Sequence, residues 1–135
     1  MTKKNRRPIS GGKAVVECLK AYNIKYVFGL IGSATMELFD ALYDEQSITF
    51  IDVRDERTGT HMADGFARAS GSPGVMIAGQ NGPGATNLVT GVAQAKAAFS
   101  PLLTIAGAIA TEHEGKDAFQ EVDQQKLFEP ITKKT

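Results

Sequence analysis

Glu56 follows a run of β-branched and aromatic residues, Ser47 to Val53, and precedes a helical pattern ending at Gly71, so a carboxyl group stands at a strand-to-helix junction. A second junction comes at Gln80-Asn81-Gly82-Pro83-Gly84-Ala85-Thr86-Asn87, after the short apolar run Val75-Met76-Ile77-Ala78. In open α/β sheets such junctions are where ligands bind. Glycines without Cβ atoms let a flat ring approach the backbone closely. No Gly-Lys-Ser/Thr follows, so the turn is not a Walker phosphate loop. On spacing alone, two readings of Glu56 stand. With Asp55 it complements the positive end of a helix, or it is a carboxyl that shares a proton with a ligand in a water-poor pocket.

Other residues with chemical potential are more isolated. His61 and His113 have no Cys or His partner at metal-ligand spacing, so no zinc site is indicated and His61 reads as a surface or packing residue. Ser33 and Ser100 lack the histidine and acid of a catalytic triad. Asp117-Ala118-Phe119-Gln120-Glu121-Val122-Asp123 reads, taken alone, as a surface loop leading to a helix N-cap at Asp123.

The elements that must position these residues follow from hydrophobic periodicity. Ala14, Val15, Cys18 and Leu19 mark one face of a helix over Gly12 to Tyr22. Tyr26-Val27-Phe28 predicts a first buried strand ending at Gly29. Ser33 is a candidate N-cap for a helix with Met36, Phe39 and Leu42 as its core positions. Ser47 to Val53 predicts the second strand. The helix after Glu56 should bury Met62, Ala63, Phe66 and Ala67 and stop at Gly71, with Pro73 beyond. Val75 to Ala78 and Leu102 to Ala106 read as strands covered on both faces. Between them a helix opens at Pro83 and runs to about Phe99, with Leu88, Val92 and Ala95 inward. A short helical patch, Gln124 to Phe128, is closed by Pro130. Strands alternating with helices imply an α/β fold, a three-layer parallel sheet flanked by helices with right-handed crossovers.

Composition narrows the function classes. The 135 residues amount to one domain, with 42% hydrophobic and 22% charged residues. Lys plus Arg equals Asp plus Glu, 15 each, so nothing favours nucleic acid as a partner. Residues 1–10 are expected to form a disordered basic tail, with residues 11–135 as the domain. A single cysteine, Cys18, on the predicted apolar helix face cannot form an internal disulfide and points to a reducing, cytoplasmic compartment. No run of about 18 apolar residues suggests a membrane span.

Glu56, the segment Met62-Ala63-Asp64-Gly65-Phe66-Ala67-Arg68-Ala69-Ser70-Gly71 and the turn Gly82-Pro83-Gly84-Ala85-Thr86-Asn87 together resemble the N-terminal pyrimidine-binding domain of thiamine-diphosphate enzymes. Within these enzymes the chain is similar to the group of acetolactate synthase and sulfoacetaldehyde acetyltransferase, and the likeness covers nearly everything after Gly11. The resemblance implies that Glu56 hydrogen-bonds N1′ of the cofactor's aminopyrimidine and favours the imino tautomer that deprotonates C2. It also implies cofactor contacts from Gly82, Pro83, Gly84 and Asn87, and a substrate approach lined by Gly32, Ser33, Ala34, Phe119 and Gln120. Acetolactate synthases usually carry a proline where this chain has Ile31, and Gly29-Leu30-Ile31-Gly32-Ser33 and Gly79-Gln80-Asn81-Gly82-Pro83-Gly84 look more like sulfoacetaldehyde acetyltransferase.

The family binds Mg and the cofactor's diphosphate through a Gly-Asp-Gly segment and an asparagine on a different domain, and this chain has no such segment. The resemblance therefore implies thiamine diphosphate with Mg, the metal supplied by another domain or subunit, and no metal ligand here. It further implies a homo-oligomer through this domain and a 2-oxo acid or sulfoacetaldehyde as substrate. FAD occurs in the parent family and is not indicated by any residue here. The domain is expected to be incomplete at its C-terminus, as an N-terminal fragment or truncated product, and inactive by itself. The competing reading is a non-catalytic binding or assembly module of the same fold. A flavodoxin-like nucleotide domain would need an acidic cluster or phosphate loop that the sequence lacks.

Overall fold

The structure is a computed structural model that describes residues 8–135. The expected tail lies outside the described residues for Met1 to Arg7. Ser10 belongs to the fold, because its hydroxyl caps the first helix by accepting from the Lys13 N–H at 3.2 Å.

The chain order is α1 (Gly11–Ala21), β1 (Tyr26–Leu30), α2 (Met36–Tyr43), β2 (Thr49–Asp52), α3 (Glu56–Ser70), β3 (Gly74–Ala78), α4 (Pro83–Ala97), β4 (Leu102–Ala106) and α5 (Gln124–Phe128). The four strands form one all-parallel sheet in the order β2-β1-β3-β4. Val27, Val75 and Ile77 face α1 and α2, where Val16, Leu19, Leu38, Phe39 and Leu42 close one core. Phe28, Met76 and Ala78 face the other way, onto Ala63, Ala85, Leu88 and Val92 of α3 and α4, with Phe128 of α5 at the margin. This is the three-layer α/β sandwich expected from the alternating pattern. Val75, Met76 and Ile77 are fully buried, each removing about 1.5–3 kcal/mol of side-chain surface free energy from water.

Several faces differ from the periodicity reading. Cys18 is exposed; α1 buries Leu19 as expected and adds Gly12 and Val16, because the neighbouring Val15 and Val16 let the apolar stripe rotate by one residue. Met36, the first residue of α2, is 57% exposed, while Leu38 joins the expected Phe39 and Leu42 in the core. Met62 is also exposed, on the outer face of α3. β4 is an edge strand whose Leu103 is 45% exposed, so of the two strands expected to be covered on both faces β3 is and β4 is not. Gly71, at φ 70°, ends α3 in the left-handed conformation, as expected from its place before Pro73.

Candidate functional site

The chain reverses its direction of winding between β1 and β3, which opens a crevice at their carboxyl ends. Gly32 after β1 and Gly79 after β3 meet there. A Cβ on Gly32 would lie 2.4 Å from the Gly79 carbonyl oxygen, so neither position accommodates a side chain. The Ala34 N–H donates to that same carbonyl at 3.0 Å, and the Thr35 hydroxyl to the Ala78 carbonyl at 3.4 Å. Ser33 does not cap α2. Its hydroxyl donates to Gln80 Oε1 at 2.9 Å and so ties the first turn to the third.

Glu56 is the first residue of α3, and the duty of helix cap falls to Asp55, whose carboxylate accepts from the Thr58 N–H at 3.0 Å. Asp55 thus caps the helix terminus, and Glu56, also in the first turn, is 5% exposed and turned toward α4. Glu56 Oε2 accepts from Asn87 Nδ2 at 3.0 Å. The other oxygen, Oε1, lies beside Gly84, where a Cβ would come within 3.2 Å of it and of the Gln80 Cβ. Pro83 and Gly84 open α4, so the helix's first turn, the Glu56 carboxylate and Asn87 one turn further on share one small volume. The arrangement is a buried carboxyl group with one oxygen held by Asn87 and the other packed against the backbone of Gly84. Such a group can hold or exchange a proton with a flat nitrogenous ring slid against the helix end.

The turn between β3 and α4 is fastened to the segment after β4. Asn81, 5% exposed, donates from Nδ2 to the carbonyls of Phe119 and Gln120 at 3.0 and 3.3 Å. Gly82 has φ 39°, and a Cβ there would strike the Gln120 carbonyl. Gln80 Nε2 donates to Gln120 Oε1 at 2.7 Å. Phe119 is 80% exposed beside these contacts. The structure thus joins Ser33 to Gln120 through Gln80, and Glu56, Gly84 and Asn87 to one another. Gln80 and Asn81 were not assigned a role by spacing, since their partners lie some forty positions away in sequence. A cleft of about 810 Å³ beside β4 is bordered by Asn81, Gln120, Leu88, Thr104, Asp123 and Phe128 and does not reach Glu56.

The segment itself is stapled by Glu121, whose carboxylate accepts from the Gly115 and Ala118 N–H groups. These backbone donors hold its carboxyl below the usual carboxylate range. Asp64, buried in α3, accepts two bonds from Arg68 at 3.0 and 2.8 Å, and the guanidinium holds its carboxyl low. Asp64 is therefore occupied within its own helix. Among the described residues no group of three or more His, Cys, Asp or Glu side chains stands together as a metal site, and no helix is long and apolar enough to cross a membrane.

Comparison with known proteins adds an independent finding. A family model described as "Thiamine pyrophosphate enzyme, N-terminal TPP binding domain" matches residues 9–127. The chain is 46% identical over 125 residues to a probable acetolactate synthase large subunit of Methanocaldococcus jannaschii, covering 93% of this chain and 21% of that protein. It is 42% identical to the acetolactate synthase large subunit of Lactococcus lactis, over 96% of this chain and 22% of that protein. It is likewise 42% identical to the acetolactate synthase isozyme 3 large subunit of Escherichia coli, over 93% of this chain and 22% of that protein. The chain spans about a fifth of the length of the curated relatives it matches.

Proposed function

The chain belongs to the thiamine pyrophosphate enzymes, as their N-terminal TPP-binding domain, and from that membership we propose that Glu56, Gly84 and Asn87 receive the aminopyrimidine ring of thiamine diphosphate. The observation that carries this reading is the buried Glu56 carboxylate with one oxygen held by Asn87 and the other beside an absent Cβ. The donor set suits the ring: a carboxyl oxygen for a weakly basic nitrogen, and a glycine where a side chain would fill the space. Thiamine diphosphate, once bound, supplies carbanion stabilisation at its thiazolium carbon. The chain's own part is electrostatic and geometric. Asn87 fixes the orientation of the Glu56 carboxyl, which would share a proton with ring nitrogen N1′ of the bound cofactor, and Pro83 and Gly84 would meet the ring with the backbone of a helix end. Gly32, Ser33, Ala34, Phe119 and Gln120 border the substrate's approach.

The overall reaction we assign is two-carbon transfer from a 2-oxo acid, as the acetolactate synthase names of the relatives suggest. Mg and the diphosphate are held by another domain or subunit, and the working assembly is a homo-oligomer joined through this domain. A second reading, a sulfoacetaldehyde acetyltransferase-like enzyme, is supported by Ile31 and by Gln80 in the turn before Gly82. A cytoplasmic location fits either reaction.

Calorimetric titration of thiamine diphosphate with Mg tests the proposal, with the chain alone and mixed with a metal-binding domain from a related enzyme. Binding in the mixture that Glu56→Gln weakens roughly ten- to a hundredfold is the expected result, the scale of losing a charge-assisted hydrogen bond. Absence of binding from folded protein in both settings would overturn it and favour a non-catalytic assembly module. In a reconstituted enzyme, product formation from pyruvate rather than sulfoacetaldehyde decides between the two reactions.

A further inference from the structure

Ser33, Gln80 and Gln120 come from three different segments, after β1, after β3 and after β4, and form one directed chain of hydrogen bonds. The Ser33 hydroxyl donates to Gln80 Oε1 at 2.9 Å, and Gln80 Nε2 donates to Gln120 Oε1 at 2.7 Å. A carboxamide has one oxygen and one NH₂ group, so its direction in such a chain decides what it offers at the far end. Gln80 uses its oxygen on Ser33 and an N–H on Gln120. The Gln120 oxygen is thereby taken, and its NH₂ is left as the terminus of the chain; no acceptor meets it among the hydrogen bonds of the described residues.

The backbone of Gln120 is held as firmly as its side chain. Its φ of 60° is uncommon for a residue with a side chain. The buried Asn81 amide binds its carbonyl and that of Phe119, and Gly82 gives that carbonyl the room it needs. The consecutive pair Gln80 and Asn81 therefore sets both the conformation and the amide direction of a residue about forty positions away.

We propose that Gln80 is a positioning residue that fixes Gln120 with two N–H donors available to an acceptor oxygen of the substrate, a carboxylate or a sulfonate. This rests on the reading of these turns as the substrate's approach, and it adds the group that would recognise the substrate's anionic end. A single substitution inverts the device. In Gln80→Glu a carboxylate can only accept, so Ser33 still donates to it while the Gln120 amide must turn its NH₂ inward, leaving an oxygen outward that repels an anion.

The experiment is side-chain amide NMR on the ¹⁵N-labelled full chain, with the Gln80 and Gln120 NH₂ signals assigned by their loss in Gln80→Met and Gln120→Met. In the wild type the Gln80 pair should exchange more slowly with solvent than the Gln120 pair, by roughly three- to tenfold, the scale of one net hydrogen bond. In Gln80→Glu the Gln120 pair should acquire that protection. Titration with pyruvate and, separately, methanesulfonate should shift the Gln120 pair in the wild type and not in Gln80→Glu. A response to one probe alone identifies the anion class. A wild type in which Gln120 is the protected pair, or in which neither probe moves it, overturns the proposal. The wild-type comparison holds even where a variant fails to fold, and the backbone amide spectrum reports that. No step uses thiamine diphosphate, so this result and the Glu56 titration succeed or fail separately.

Discussion

At the scale of single residues, the two halves of the site are built differently. Glu56, Asn87 and Gly84 are close because α3 and α4 pack against each other, and Glu56 Oε1 lies where a side chain at position 84 would crowd it. Gly84→Ala separates binding from folding. The new methyl contacts Glu56 Oε1 and the Gln80 Cβ at 3.2 Å, a displacement that a helix end can absorb. Alanine's better helix propensity offsets the crowding, so stability should stay within about 1 kcal/mol of wild type. Thiamine diphosphate binding should fall at least as far as in Glu56→Gln. Urea unfolding and calorimetry on the same preparation check both halves of that statement. The carboxyl at the junction and the glycine turn were legible in the sequence because each is local. The pairing of Asn87 with Glu56, and of Gln80 and Asn81 with Gln120, was not, because a contact between distant segments leaves no periodicity.

At the scale of elements, the close approach of α3 to α4 is set by small residues. A Cβ on Gly91 would lie 2.5 Å from the Thr60 Cγ2, and Thr60 is itself fully buried with its hydroxyl bonded to the Glu56 carbonyl. Gly91→Ala should therefore cost about 1–3 kcal/mol by overpacking, seen as a lower urea midpoint, and should loosen the Glu56 to Asn87 contact as the helices part. Gly65→Ala, on the same pair of helices but with open space around it, should be neutral or mildly stabilising. Strand and helix positions were well marked in the sequence wherever glycine or proline punctuated them. β4 over Leu102–Ala106 and α5 over Gln124–Phe128 stand where the pattern put them. The inward faces of α1, α2 and α3 were less legible. In α1 the adjacent Val15 and Val16 leave the phase ambiguous by one position, with Cys18 outside; in α2 and α3 the expected Phe39, Leu42, Ala63 and Ala67 are inside and only Met36 and Met62 are not.

At the scale of the whole molecule, carboxylates link fold stability to pH. Glu45, bound by Ser47 and by Lys20 of α1, has its carboxyl pushed down to about 2. Asp64 is lowered by Arg68, and Glu121 by backbone N–H groups. Each folded-state value lies below the unfolded one, so the native state binds fewer protons. The stabilisation is complete above the unfolded carboxyl values and is lost as pH falls through the folded ones. The urea midpoint should hold level from neutrality to about pH 5 and decline below it. Glu45→Gln should show a smaller decline over the same range; an identical slope would mean that Glu45 contributes nothing to it.

The outer rim of β4 has a further consequence, for handling rather than for chemistry. Among the described residues no strand pairs with that rim, and Leu103 of β4 is 45% exposed on the sheet face it shares with Val75, near Phe99 in sequence, itself 96% exposed. A bare strand rim with apolar side chains is a template onto which other chains add, the physical root of precipitation and fibre growth. The ceiling on how concentrated a solution of this chain can be kept is therefore set in part by β4. A lysine in place of Leu103 should raise that ceiling while leaving Glu56 and its neighbours undisturbed.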